Sequence, residues 1–552
     1  IRDRATPSFS GVPSIGFNNY SIGLPGVVYN RYEGTPSVLD NFSKVAGTHI
    51  LTFGGEYVFN SFYEPMPYVG GNGFVSFTGS ETGTDFSDFL IGAPSTFVQE
   101  GGFNYDNLRN YSGVYGQDSW RARPDLTLNY GLRYEIFQPW YEKSNQLSTF
   151  ILGEKSTVYP GAPEGYVFPG DTMPGGGKIP RTIAPTPLDN FSPRLGFAYS
   201  PLVSHGPMKW LTGGSGKFSI RGGFGIFYTN IEGVQMLDNT GLAPFDIFYA
   251  SPSPPFFAAP YTSRASGTVQ PTPFPFTPPP PGSTNFDWSK YLPLSGYPVP
   301  QVNNQTPYAE NYNLTLQRQF GNSTLLTLGF VGSQGHNLLA ALPNNPGNQQ
   351  LCLSLSQAID VAPGTPTCGP FGENGGYTRS NGTIVNGTRG PFGPNFGDNV
   401  WTADIANSNY SALDVSLRHT SGPLTFFASY TYSKSMDDAS SIGGTLNPIN
   451  QHLDWGLSSF DMTHDFVLSY NYALPLQSLF GKHGSRITSG WHLVGITRFA
   501  TGFPIELTET DDRSLLGDFG ETSGLGVDTP NFLGGNLNFT NPRSGKPYFT
   551  TS

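Results

Sequence analysis

Apolar and polar residues alternate along Leu126–Glu135. Leu126, Leu128, Tyr130, Leu132 and Tyr134 occupy every second position, with Thr127, Asn129, Gly131, Arg133 and Glu135 between them. Successive side chains of a β-strand point to opposite faces, so this spacing predicts a strand with one apolar and one polar side. The residues ahead of it, Ala122-Arg-Pro-Asp125, favour a tight turn, and a further candidate strand ends at Trp120. The unit therefore reads as a hairpin. The design recurs at Asn311–Phe320 and Thr324–Ser333 around Gly321-Asn-Ser323, and at Tyr410–Thr420 and Leu424–Ser435 around Ser421-Gly-Pro423. Further candidate strands are Asn41–Val45, His49–Asn60, Phe74–Gly79, Ser95–Glu100, Arg194–Tyr199, Phe218–Tyr228, Asp465–Leu474 and Trp491–Thr501. In Phe218–Tyr228 the alternation is interrupted by Gly222, Gly223 and Gly225.

The connections between these strands alternate in length. Those after residues 45, 121, 320 and 420 are tight; those after 137, 228, 334 and 435 are long and rich in Gly, Pro, Asn and Ser. Bacterial membrane barrels have short periplasmic turns and long outer loops, which predicts this alternation. The connections at 201–217 and 475–489 are longer than expected on the short side. The segment Asp85–Ile91 is expected to form a short helix beside another short-side turn.

Composition narrows the class. Only 12% of the 552 residues are charged, while 14% are aromatic, with 29 Tyr and 43 Phe. Disordered chains are poor in aromatics, so low charge here points to a membrane protein. No stretch approaches the ~20 consecutive apolar residues of a membrane-spanning helix. A membrane protein without such helices must close its backbone hydrogen bonds in a barrel. A mean hydropathy of -0.27 agrees with this, because apolar and polar residues alternate along barrel strands. The fold class expected is all-β, a large antiparallel transmembrane β-barrel with about 14–16 strands in this chain. The net charge of -11 argues against nucleic acid as a partner. On the barrel reading, Leu126, Leu128, Tyr130, Leu132 and Tyr134 face lipid, while Thr127, Asn129, Arg133 and Glu135 face the lumen. Arg221 and Arg418 are also expected on inward faces.

Several segments, in order, resemble the barrel of Oar-like TonB-dependent transporters of acidobacterial type. They are His49-Ile-Leu-Thr-Phe-Gly-Gly-Glu-Tyr57, Tyr115-Gly-Gln-Asp-Ser-Trp120 with the strand after it, Ser192-Pro-Arg-Leu-Gly-Phe-Ala-Tyr199, Ile220-Arg-Gly-Gly-Phe-Gly-Ile-Phe-Tyr228, Asn407-Ser-Asn-Tyr-Ser-Ala-Leu413, Ser429-Tyr-Thr-Tyr-Ser-Lys-Ser-Met-Asp-Asp438 and Ser489-Gly-Trp491. The resemblance spans about residues 38 to 509. It implies a 22-strand barrel in the cell outer membrane, filled by a plug and energised through a TonB box. Residues 1–552 are then expected to be a partial barrel domain, with the plug and TonB box upstream and the closing strands downstream. The implied function is uptake of a bulky nutrient: an oligosaccharide, a peptide or a metal chelate. The implied partners are outer-membrane lipid, the TonB complex and an extracellular ligand. The alternative is an outer-membrane adhesin or protein-export platform that uses the long surface loops.

The sequence carries no catalytic motif, and the expectation is a non-enzyme without cofactor or bound metal. Gly213-Gly-Ser-Gly-Lys217 superficially suggests a phosphate loop, but Phe218 stands where Ser or Thr should follow and the glycine spacing is wrong. His464 and Asp465 are adjacent and should point to opposite faces of a strand. The pairs Asp437/Asp438 and Asp511/Asp512 lie in expected outer loops, where solvated carboxylates are the ordinary reading and calcium ligands the sharper one. Cys352 and Cys368 share one long loop, and an oxidising periplasm favours a disulfide between them. The proline-rich segment 252–281 is expected to be semi-rigid, packed over the barrel mouth or against its neighbours, with phenylalanines within reach of a ligand.

Overall fold

The computed structural model describes residues 14–517, apart from 24–31, 67–72, 102, 230–241, 252–253, 272–275, 297, 357–375, 379–383, 442–443, 477, 479–487, 506 and 508–513. Twelve long strands form one antiparallel sheet in which each pairs with its neighbours in sequence. They are β1 (Ser37–Ala46), β2 (His49–Met66), β3 (Phe103–Arg123), β4 (Leu126–Phe137), β5 (Asn190–Tyr199) and β6 (Phe218–Tyr228), followed by β7 (Tyr308–Phe320), β8 (Thr324–Pro343), β9 (Val400–His419), β10 (Leu424–Asp437), β11 (His464–Ala473) and β12 (His492–Ala500). Four short strands, Tyr32–Gly34, Tyr141–Glu142, Pro298–Pro300 and Gly456–Leu457, extend its rim.

The tight turns and the long connections segregate to opposite ends of the sheet. Turns β1–β2, β3–β4, β7–β8 and β9–β10 are tight, and the β5–β6 connection holds a short helix, Pro207–Thr212. Gly47, Gly321 and Gly422 take positive φ in three of these turns, a conformation that costs glycine little. Gly213, Gly214 and Gly216 also have positive φ, so the phosphate-loop mimic is the turn that follows the helix Pro207–Thr212.

Among the described residues this sheet holds twelve long and four short strands. Two expectations are corrected here. The candidates near Phe74 and Ser95 are the short strands Phe74–Ser76 and Thr96–Glu100 of a separate five-stranded sheet, with Ser14–Gly16, Ser21–Ile22 and Phe248–Ala250. The helix Asp85–Leu90 lies between those two short strands, inside the long β2–β3 connection. It therefore sits at the long-connection end and not beside a short turn. Apolar alternation marks any half-buried strand, and Phe77, Val75 and Phe97 are buried in a small core of their own.

Glycine and aromatic abundance have a common cause in this sheet. A Cβ on Gly222 would stand 2.6 Å from the ring of Phe197, and one on Gly332 would stand 2.2 Å from that of Tyr312. Phe197 and Tyr312 are the direct cross-strand partners of these glycines. The ring of one strand thus covers the bare backbone of the next, which keeps the surface closed where a side chain is missing.

The long connections form a packed cap. Phe150, Tyr166, Phe168, Phe245, Trp288, Leu294 and Phe396 share one buried core drawn from three connections. A second core joins Trp140, Leu147, Ile151, Val167, Ile179 and Ile183 to Phe62 of β2 and Tyr105 of β3. The proline-rich segment is part of this packing: the Tyr159 hydroxyl donates to the Pro279 carbonyl (3.3 Å) and the Gly282 N–H to the Val158 carbonyl (2.7 Å).

Candidate lumen wall and mouth

The strand register builds a continuous polar face. One cross-strand row runs Ser43, Thr52, Gln117, Gly131, Arg194, Gly225, Asn311, Ser333, Tyr410 and Ser435, across ten strands. On the other face, Leu128, Phe197, Gly222, Leu314, Phe330, Leu413 and Tyr432 form a row of opposite character. Thr127, Asn129, Arg133 and Glu135 share the polar face, and Leu126, Leu128, Tyr130, Leu132 and Tyr134 share the apolar one.

Ionised groups on the polar face fall into two kinds. Arg133 is neutralised: its Nη2 lies 3.1 Å from Glu56 and its Nε 2.9 Å from Glu135. Tyr111 donates to Glu135 (2.8 Å) and accepts from Arg133, while Ser192 donates to the other Glu135 oxygen (2.9 Å). This network ties β2, β3, β4 and β5 together. Arg498 is likewise held by Asp465 (2.8 Å). Arg194, by contrast, lies over the Phe227 ring (4.5 Å), and Arg194, Arg221 and Arg418 have no ion-pair partner among the described residues. A groove of about 400 Å³ is lined by Gln117, Ser119, Asn129, Arg133 and Arg194. Another of about 310 Å³ holds Thr315, Thr327 and Asp414, and Thr431 donates to that carboxylate (2.6 Å). Such a face offers a ligand hydrogen bonds and positive charge, and it cannot form a dry core.

The apolar face carries a buried carboxyl that the alternation of Leu126–Glu135 did not reveal. Asp118 lies across from Tyr130 and Leu51, accepts from the Tyr130 hydroxyl (2.7 Å) and meets His49 Nδ1 at 2.7 Å. His49 stacks on Trp120 at 5.4 Å. Tyr130 is thus tied to a carboxylate on the face where only apolar contacts were expected. His464 and Asp465 behave as their spacing requires, the first meeting Tyr430 (2.8 Å) and the second Arg498.

At the long-connection end, residues 138–189 turn inward. Phe62 and Tyr105 belong to the polar face, and this connection packs against both. Glu142 is buried there; its carboxyl is pushed up to about 7 by burial, against the lowering effect of the Gln146 and Ser144 N–H groups it accepts (2.9 and 2.6 Å). Asp437 and Asp438 accept from Ser440 and from the Asn407 N–H (2.7 Å each), so part of their acceptor capacity is used within the chain. Asp511 and Asp512 lie outside the described residues.

Cys352 is buried in the helix Gln349–Ser356 and is disulfide-bonded. Cys368 lies outside the described residues, so its pairing with Cys352 is our proposal; the chain has two cysteines. The bridge would close a short loop and leave the sheet untouched. Replacing both with Ser should leave heat-modifiable gel mobility intact, and loss of the folded band would contradict this.

A wide antiparallel sheet, apolar on one face and polar on the other, with turns at one end and a packed cap at the other, defines a membrane β-barrel wall. The chain belongs to the family described as outer membrane beta barrel domain, which it matches over residues 3–552, and its location is the outer membrane. No curated protein matches it. Among solved structures it is similar to the outer membrane transporter YddB from Escherichia coli (10% identity, TM-score 0.39), covering 80% of this chain and 40% of that one. It is also similar to the FrpB iron transporter from Neisseria meningitidis (10%, TM-score 0.35, 81% and 41%) and to FpvA of P. aeruginosa bound to heterologous pyoverdines (9%, TM-score 0.36, 87% and 39%). The chain thus spans about two fifths of the length of these structures.

Proposed function

We propose that this chain forms much of the wall of a wide, plugged barrel that takes up a bulky nutrient with energy from TonB. The observation that supports this most is the polar face, continuous over ten strands. Among the described residues β1 and β12 do not pair with each other. Free strand edges are untenable in lipid, so closure calls for more strands than these twelve. At about 4.8 Å per strand and a tilt near 40°, twelve strands alone give a circumference of roughly 75 Å. A lumen that wide leaks small solutes unless something fills it. The Oar-like resemblance supplies a plug, and the solved structures named above include proteins described as transporters. A metal chelate, a peptide and an oligosaccharide all fit a wall of Asn, Ser, Thr and Arg.

Cells making the full-length protein should accumulate more of a labelled oligosaccharide, peptide or chelate mixture than cells lacking it, and only when TonB is present. Equal accumulation without TonB would overturn the energised step and favour a passive channel. No accumulation due to the protein would favour an adhesin or an export platform.

A further inference from the structure

A small cavity at the mouth holds a carboxyl group, that of Asp404, one of whose oxygens is buried without a hydrogen-bond partner. Its volume is about 40 Å³, and Pro139, Trp140, Pro187, Pro300, Pro307 and Asp404 line it. It lies where the connection after β4, the connection after β6 and the start of β9 meet. The short strand Pro298–Pro300 runs parallel to Val400–Thr402 and brings the second connection against β9. Asn304 then locks the site: its Oδ1 accepts the Asp404 N–H (3.2 Å) and its Nδ2 donates to the Thr402 carbonyl (2.9 Å). The Asn304 oxygen and one of its two amide N–H groups are therefore used.

Asp404 is 6% exposed, and its Oδ1 is buried without a hydrogen-bond partner. Asn304, Gln305 and Thr306 also line the cavity, and none of them donates to this oxygen. Four of the lining residues are prolines, which have no N–H when in a chain. The Thr182 hydroxyl, which also lines the cavity, donates to the Ala184 carbonyl (2.6 Å). Among the described residues no Lys, Arg or His lines the cavity; Arg109 covers one face of Trp140 (4.8 Å to its centroid) and is not part of the lining. A buried carboxylate without a donor is costly, and proteins resolve this by protonation or by a cation.

We propose that this cavity binds a primary ammonium group, as carried by a lysine side chain or a peptide amino terminus. Three features select that chemistry. The missing partner is a donor, and an ammonium supplies up to three N–H groups together with the compensating charge. The volume holds about three waters, enough for an ammonium head and its first methylene but not for a sugar ring. The walls of proline and Trp140 suit an aliphatic stem. Burial pushes the Asp404 carboxyl up to about 8, so without a cation it is held neutral at neutral pH. Asp404 lies at the end of β9 far from its short turn, beyond the run of about ten residues that crosses a bilayer. The site goes beyond the transport reading and stands whether or not the barrel moves its ligand inward.

The test uses n-butylammonium and n-butyltrimethylammonium with the full-length protein in nanodiscs, followed by saturation-transfer difference NMR. The second probe carries the same charge, has no N–H and exceeds the cavity. Wild type should give saturable binding of n-butylammonium and none of the trimethyl compound. Asp404→Asn should weaken n-butylammonium at least about tenfold, the scale of one lost hydrogen bond to a charged group. Equal binding of the two probes, or no saturable binding of n-butylammonium, would overturn the proposal. So would an unchanged affinity in Asp404→Asn, or displacement by sodium as effective as by the amine. Should Asp404→Asn lose its heat-modifiable folded band, the two-probe comparison on wild type decides alone. Transport plays no part in this readout, so failure here leaves the uptake reading standing.

Discussion

Leu132→Arg should remove the folded, heat-modifiable form of the full-length protein from the outer membrane, whereas Gln117→Arg should leave it there. Leu132 is on the apolar face and 49% exposed, across from Gly116 and Pro193. Gln117 lies one row away on the polar face, across from Gly131, and is exposed as well. The two sites share depth and exposure and differ in face. Arg at a lipid-facing midplane site costs ~2–4 kcal/mol because the charge loses water. The same residue on a wet lumen wall keeps its water. Tyr130→Arg should be milder than Leu132→Arg, because Asp118 is already within hydrogen-bond distance of position 130. Folded-band intensity in outer-membrane fractions measures all three. Equal loss at Leu132 and Gln117 would sink the face assignment.

Tyr166→Ala should open the cap and spare the barrel. Tyr166 is fully buried, its ring packs on Phe150 (5.3 Å), Phe168 (4.8 Å) and Trp288 (6.0 Å), and its hydroxyl donates to the Ala243 carbonyl (2.7 Å). Truncating a buried aromatic costs ~3–5 kcal/mol. The Phe variant keeps the packing and loses two hydroxyl contacts, to Ala243 (2.7 Å) and Ser148 (2.9 Å), at about 0.5–1.5 kcal/mol each. Limited proteolysis of intact cells should therefore cut the Ala variant within residues 138–189 or 242–300, cut the Phe variant little, and leave heat modifiability unchanged in both. Unchanged protease resistance in the Ala variant would show that these connections do not share one core.

These two regions also mark what could be read in the chain. The strand Leu126–Phe137 was legible because one face is apolar and the other polar, which leaves a period of two. The strands run further than that signal. β9 begins at Val400, where Tyr410 was expected, and β3, of which only the end near Trp120 was marked, begins at Phe103. In those extensions Val400, Ala403, Asp404 and Ala406 are all buried, so alternation disappears. The polar wall was legible at Arg133 and Glu135, but its ion-pair partner Glu56 was not, since it depends on the register between distant strands. Asp118 was hidden for the same reason. The cap was not legible because Trp140, Tyr166 and Trp288 lie in segments rich in Gly and Pro, without a regular apolar period. Nothing local distinguishes them from exposed loop residues, and Asp404 becomes a site only where three chain segments meet.

The central claim is that the two faces of this sheet meet lipid and a wet interior. Nitroxide labels placed singly at Leu126 through Glu135, in the full-length protein reconstituted into bilayers, test it most directly. Oxygen should relax the labels at 126, 128, 130, 132 and 134 most strongly, and a water-soluble nickel chelate those at 127, 129, 133 and 135. A profile without a period of two, or one with the faces exchanged, would contradict the account.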